Sequence, residues 1–457
     1  MKAPLREVPP VHRFTTDPIV SAYDGVLGHG TVRSTVAAVL DQARAGARDG
    51  AAVASFESLR QTVLERLALA QGQGLVRVVN GTGILLHTNF GRAPLAPAAL
   101  AASSALGMGY TNLEYDLGAG KRGSRYERVS AQLCELSGAE SALVVNNCAA
   151  AVLLVLDTFA RDREVVVSRG QLIEIGGGFR LPDVLRKSGS KLVEVGTTNK
   201  TYPLDYRNAW SQATAIFMRT HPSNYRTLGF TAEVDAPTLA ALAKELGVLS
   251  FEDLGSGALV DMEQFGLQHE PTLAEEIKAG IDLVAVSGDK LLGGPQCGII
   301  VGRADRLDTI KRNPLLRALR VDKLTLAALA ETLACYLEPG RLEEIPLFAM
   351  LKTPVDVLRS RADAIRHALR AKSAAVSVEP CATESATGGG TLPLERIPSS
   401  GIAITARSCA PDALAAALRR HQPPVIGRIE DAALVIDLRT VMPDEDQLLV
   451  DALASVV

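Results

Sequence analysis

Ser287-Gly288-Asp289-Lys290 stands between two short apolar runs, Leu283 to Val286 and Gly298 to Val301, with Gly293-Gly294-Pro295 in the intervening segment. Runs of that length and composition read as buried strands. A lysine directly after a buried strand sits at the lip of a sheet. Partial desolvation there lowers its pKa and frees an amine for imine chemistry. Ser287 precedes Lys290 by one turn and can aim a hydroxyl at a phosphate held beside the amine. An amine for an aldehyde and donors for a phosphate are what pyridoxal 5'-phosphate requires. Taken alone, S-x-x-K reads equally well as a surface lysine in a glycine-rich hairpin.

Other residues narrow the choice. Asp253 ends the strand-like VLSFEDLGSG and is followed by glycines. An acid there can pair with a protonated pyridine nitrogen and keep the ring an electron sink, or serve as a cap or turn residue. Asn224, after His221-Pro222-Ser223, can donate to a phenolate oxygen or close an Asx-turn. In ALVVNNCAAAVLL a strand turns through Asn146-Asn147-Cys148 into an alanine-rich helix. The free N–H groups at that helix start, around Asn147, Cys148 and Ala149, form an anion site that small side chains leave open. Arg92 can fork onto an anion or form a surface ion pair. Arg317 and Arg320 stand three apart on an expected helix from Leu315 to about Tyr336, on one face. Arg125 belongs to a polar, glycine-rich stretch, Gly107 to Arg128, read as a long loop that is either functional or simply solvated.

The elements that must position these residues follow a rhythm. From Glu164 onward, strand-like and helix-like segments alternate, which predicts a mostly parallel sheet with helices on both faces. Ligands in such α/β sheets bind at the carboxyl ends of strands, where Ser168, Gly196, Thr220 and Asp253 fall. A strand over Ile84 to Leu86 is expected before His87-Thr88-Asn89. Three domains are expected: an N-terminal helical unit over 1–75, a large α/β domain over 76–339 and a small α+β domain over 340–457. The first contains helices near Thr31 to Ala47 and Ser55 to Gln71. The last contains helices near 354–371, 411–420 and 444–455, strands near 401–406 and 434–438, and Gly388-Gly389-Gly390 as a flexible or close-approach segment.

Composition excludes several classes. The chain of 457 residues is 47% hydrophobic and 22% charged, as expected of a globular enzyme, and its net charge of −3 advertises no overall basic field for nucleic acid. A localised basic surface stays open. Six scattered cysteines without a C-x-x-C pair argue against a zinc site or a disulfide framework. No apolar span of membrane or signal-peptide length occurs, so a cytoplasmic protein without a membrane anchor is expected.

The longer motifs HTNFGR, YTNLEYDLGAGKRGSRYE, VVNNCAAAVLL, SRGQLIEIGGGFRLPD, GTTNKT, HPSNYRTLGFT, EDLGSG and SGDKLLGGPQCGIIVG resemble those of the bacterial selenocysteine synthase family. The resemblance runs nearly the whole length, to PPVIGRIEDAALVIDLRT. It implies a fold-type-I pyridoxal-phosphate transferase that converts seryl-tRNA(Sec) to selenocysteinyl-tRNA(Sec) with selenophosphate, through an aminoacrylyl intermediate. By the same resemblance Lys290 holds the cofactor, Asp289 is an acid needed for activity, and Arg92, Arg317 and Arg320 hold selenophosphate. The N-terminal helices grip tRNA, and the assembly is a homodecamer, a pentamer of dimers. The sequence departs from the family at Cys148, where a third asparagine is usual, and at Gln171, where glutamate is usual.

Two rivals remain at this point. A related pyridoxal-phosphate lyase or sulfur-handling enzyme acting on a small amino acid would lack the N-terminal helical unit. A tRNA-binding protein without catalysis would lack Lys290 or Asp253.

Overall fold

The computed structural model describes residues 8–50, 52–72, 74–176, 178–372, 376–406 and 409–455. The chain begins with short helical turns and two longer helices, α1 (His29–Arg48) and α2 (Phe56–Gly72). Val32, Val36, Val39 and Leu40 recur at helix spacing on α1 and pack against Leu59, Val63 and Leu67 of α2 and against Phe14. This cluster is separate from the core around the sheet. The first seven residues of the expected helical unit lie outside the described residues.

The centre is a seven-stranded sheet. In chain order its strands are β1 (Ser141–Val145), β2 (Glu164–Ser168), β3 (Lys191–Val195), β4 (Thr214–Thr220), β5 (Leu249–Gly255), β6 (Leu283–Ser287) and β7 (Gly298–Gly302). Their spatial order is β1-β7-β6-β5-β4-β2-β3, and β7 alone runs antiparallel to its neighbours. Successive side chains point to opposite faces, so each strand feeds two cores. Val144, Val166, Phe217, Val284 and Ile299 pack on one face. Leu143, Val165, Met218, Phe251 and Ile300 pack on the other. The fold class is the expected α/β architecture, a mostly parallel sheet with a packed core on both faces.

Helix α3 (Cys148–Phe159) follows β1, and Asn147 caps it by accepting from the Ala150 N–H at 2.9 Å. The expected helix from Leu315 to Tyr336 is two helices, α4 (Leu316–Leu319) and α5 (Lys323–Leu337). Arg320 is extended (φ −68°, ψ 144°) and Asp322 restarts the helix by accepting from the N–H groups of Leu324 and Thr325. Gly107 to Arg128 is mainly loop but holds a short hairpin, Tyr115–Asp116 against Lys121–Arg122.

Beyond residue 340 a long helix, Val355–Lys372, packs on a four-stranded antiparallel sheet. Its strands are β8 (Val376–Ser385), β9 (Ile397–Ala406), β10 (Arg428–Glu430) and β11 (Ala433–Asp437). Strand β8 escapes a sequence reading because Pro380 and its polar residues blur the alternation; pairing along all of β9 makes it a strand. Ile84 to Leu86 is not a strand. Ile84 forms one isolated bridge to Ala386, and the N–H groups of Leu85 and Leu86 donate to the carbonyls of Ala386 and Thr387. The loop after β8 is thereby laid across the carboxyl end of the central sheet. No helix among the described residues is long and apolar enough to cross a membrane.

Candidate active site

A cavity of about 190 Å³ opens at the carboxyl ends of β4, β5 and β6, against the start of α3. Lys290 follows β6 and is buried at 7% exposure, in contrast to an ordinary surface lysine. Burial pulls its ammonium pKa down, and the nearby Arg92 guanidinium acts in the same direction. The Gly388–Gly390 segment is a close approach: a side chain at Gly390 would place its Cβ 2.6 Å from Lys290 Nζ. Gly390 also has φ +86°, a conformation glycine adopts without strain.

Asp253 is held at the end of β5, where a register shift between Asp253 and Gly255 breaks the ladder to β6. Its carboxyl is buried, and desolvation lifts its pKa from 3.8 to about 6, while Lys290 pulls it back. The Cys148 thiol lies 3.6 Å from Asp253 Oδ1 and donates to it. Burial raises that thiol well above the usual range, and the Asp253 charge adds to the effect, so Cys148 is a neutral donor and not a thiolate nucleophile.

Asp289 sits beneath the opposite wall at 4% exposure. It accepts from Arg92 Nη1 at 3.0 and 3.2 Å, from Ser287 Oγ at 2.8 Å and from Gln296 Nε2 at 3.4 Å. The Ser287 hydroxyl is thus committed to Asp289. Among the described residues, the buried Nε of Arg92 has no hydrogen-bond partner, and neither has Thr220 Oγ1, which also lines the cavity.

The cavity gathers Arg92, Asn147, Cys148, Ala149, Asp253, Ser287 and Lys290, with Asp289 behind them. Four expected residues lie elsewhere. Asn224 turns away and donates from Nδ2 to the Glu174 carbonyl at 3.0 Å, so Ser223 and His221 take the cavity positions on that loop. Arg125 is tied through Nε to Glu114 at 2.9 Å and through Nη1 to the Val321 carbonyl at 2.7 Å. Arg320 lies 3.7 Å from the same Glu114, and Arg317 is exposed on α4. The break between α4 and α5 also removes the shared helix face expected for Arg317 and Arg320. Gln171 does not face the cavity; its Oε1 accepts from the Thr220 N–H at 3.1 Å.

The sequence gives no site role to His221 or Gln296, and it marks Gly388-Gly389-Gly390 as a flexible or close-approach segment without placing it at Lys290. His221-Pro222 at the end of an apolar strand was a usable signal for the first. Gln296 and Gly390 reach the site only through tertiary folding. Among the described residues no group of His, Cys, Asp and Glu is arranged to hold a metal ion.

A family model described as L-seryl-tRNA selenium transferase matches residues 78–442. The chain belongs to that family. The L-seryl-tRNA(Sec) selenium transferase of Moorella thermoacetica is 46% identical over 454 residues, covering 98% of this chain and 96% of that protein. The enzyme of the same description from Hyphomonas neptunium is 46% identical over 430 residues, 93% of each chain. Among solved structures, D-glucosaminate-6-phosphate ammonia-lyase superposes with a TM-score of 0.57 at 18% identity, covering 85% of this chain and 97% of that one. That likeness concerns the fold. The family match includes the whole Lys290 cavity, and the match to the Moorella enzyme extends over almost the entire chain.

Proposed function

We propose that this selenium transferase converts seryl-tRNA(Sec) to selenocysteinyl-tRNA(Sec), with pyridoxal 5'-phosphate as its cofactor and selenophosphate as its selenium donor. The observation that carries the reading is a buried lysine amine in one cavity with a buried aspartate and a helix start, in a chain of this family.

The residues present fit the cofactor. Lys290 would hold its aldehyde carbon, Asp253 would face a ring nitrogen, and the N–H groups at the start of α3 with the unpartnered Thr220 hydroxyl offer donors to its oxygens. Bound there, the cofactor supplies an electron sink for removing the seryl α-proton and the β-hydroxyl.

The chain's own groups do the rest. Burial leaves the Lys290 amine able to take the proton from the seryl Cα at Nζ and to return a proton to the departing hydroxyl oxygen, which leaves as water. Asp289 fixes Arg92 through two contacts and so aims a guanidinium into the cavity for the phosphate of the donor. The Gly388–Gly390 loop covers Lys290 and limits water at the amine. We assign the grip on the tRNA, through its shape and backbone, to helices α1 and α2, which pack around a core of their own. The exposed apolar side chains of Met108, Tyr110 and Leu117 favour a homo-oligomer, and a decamer of five dimers is the assembly we propose.

An absorbance scan of the purified protein with pyridoxal 5'-phosphate tests this, with Lys290→Ala alongside. A visible band that responds to seryl-tRNA(Sec) and selenophosphate and not to free serine, with selenocysteinyl-tRNA formed, is the expected result. A band that responds to free serine would point to a lyase of small amino acids. Absence of a band with tRNA still bound would point to a binding protein.

A further inference from the structure

His221 is the imidazole in the wall of the Lys290 cavity, and a second residue stands behind it. Its backbone N–H donates to the Asp253 carbonyl at 3.0 Å, which ties the end of β4 to the end of β5. Its Nε2 lies 3.1 Å from Glu270 Oε1. Glu270 is 2% exposed, and among the described residues that oxygen is buried without a hydrogen bond, so the close approach of His221 Nε2 is an ion-pair contact. Two buried acceptor atoms 3.1 Å apart repel one another unless a proton lies between them, so the geometry favours Nε2–H facing the carboxyl. With Nε2 engaged by Glu270, Nδ1 is the nitrogen left for a ligand. The other charged groups around the ring are Asp253 on β5 and Glu276 on the helix Leu273–Lys278, and Arg219 stands between Glu276 and Glu252.

We propose that Glu270 and His221 form a carboxylate–imidazole pair in which Glu270 orients and charges the ring, and His221 presents a proton to the cofactor bound beside Asp253. His221 then touches the cofactor, and Glu270 is a positioning residue that acts through it. The inference rests on the cavity being the pyridoxal-phosphate site. The local electrostatics agree: the His221 charge favours the ionised form of Asp253 against its burial.

The test is a pH titration of the absorption band of the protein loaded with pyridoxal 5'-phosphate, for the native chain, His221→Gln, Glu270→Gln and the double variant. Loss of a positive charge beside the chromophore raises the pH at which its proton leaves. Each single variant is expected to move the midpoint upward by about one pH unit, a tenfold change in the proton equilibrium. The double variant is expected to move no further than either single one, because both remove the same charge. Thermal melting of each variant without cofactor checks folding. Midpoints unchanged in both single variants, or shifts that add in the double variant, would overturn the pair while leaving the cofactor site standing. Absence of a band in the native protein would overturn the cofactor reading and this inference with it.

Discussion

Arg92 and Asp289 lie 197 residues apart in the chain, yet a single guanidinium nitrogen of Arg92 donates to both carboxylate oxygens of Asp289. Arg92 adopts a left-handed backbone conformation, φ +61°, which is uncommon for a residue with a side chain. The pair joins the segment after Ile84-Leu85-Leu86 to the lysine loop and leaves Nε of Arg92 unpartnered beside the cavity.

Breaking that pair separates donor binding from cofactor binding. Arg92→Ala is expected to retain the cofactor band, since the Lys290 amine stays buried beside Asp253 and burial is the first cause of its lowered pKa. It should lower kcat/KM for selenophosphate about 100-fold, roughly 3 kcal/mol for a charge-assisted contact in a partly buried site. Steady-state kinetics at varied selenophosphate and fixed seryl-tRNA(Sec) measures this. An unchanged dependence on selenophosphate would remove Arg92 from donor binding.

How much of this was legible in the sequence varies with the kind of signal. Lys290, Asp253 and Asn147-Cys148 sit where an apolar run meets glycine or asparagine, and strand ends follow from local pattern. Asn224 faces away from the cavity because the side of a turn that faces inward depends on a distant acceptor, here the Glu174 carbonyl. The expected single helix around Arg317 is two because Asp322 caps a new one, its side chain accepting from the Leu324 and Thr325 N–H groups, a local signal that the apolar periodicity hides. Gly390 could be noticed as part of a glycine run, but its approach to Lys290 depends on how the loop after β8 returns over the sheet.

Asp253 links function to stability through pH. Its folded carboxyl titrates at about 6, against an ordinary value of 3.8. The folded state therefore holds the proton more tightly: the contribution favours folding below about pH 4 and is lost as pH rises through about 6. Above that range the buried carboxylate costs about 3 kcal/mol relative to its unfolded environment. In the cofactor-free protein Asp253→Asn is expected to raise Tm at about pH 8 and to leave it little changed at about pH 4. An equal change at both pH values would contradict the assignment of the cost to the Asp253 charge.

Gly390 tests the covering loop. Alanine there places a methyl group 2.6 Å from the Lys290 amine and 2.9 Å from Cε, in a backbone region that disfavours side chains. The lysine tip is flexible, so the protein should still fold, with a loss of about 1–2 kcal/mol from the strained backbone. The displaced amine should weaken the cofactor band. A full band and normal turnover in Gly390→Ala would show that the loop stands clear of Lys290 when the site is loaded.

The N-terminal helices offer the sharpest separation of binding from chemistry. The buried members of their core lie between Val8 and Leu67, so their packing is self-contained and none of the core around the central sheet depends on it. Deletion of residues 1–75 should leave the cofactor band and its dependence on Lys290 intact. It should weaken binding of tRNA(Sec) by at least about tenfold, because backbone contacts supply much of nucleic-acid affinity. Turnover at low seryl-tRNA(Sec) should fall with it. Fluorescence anisotropy with labelled tRNA(Sec), at one stated salt concentration, reads the affinity, and the absorbance scan reads the site. Unaltered tRNA affinity in the truncated protein would move the nucleic-acid surface to another part of the chain.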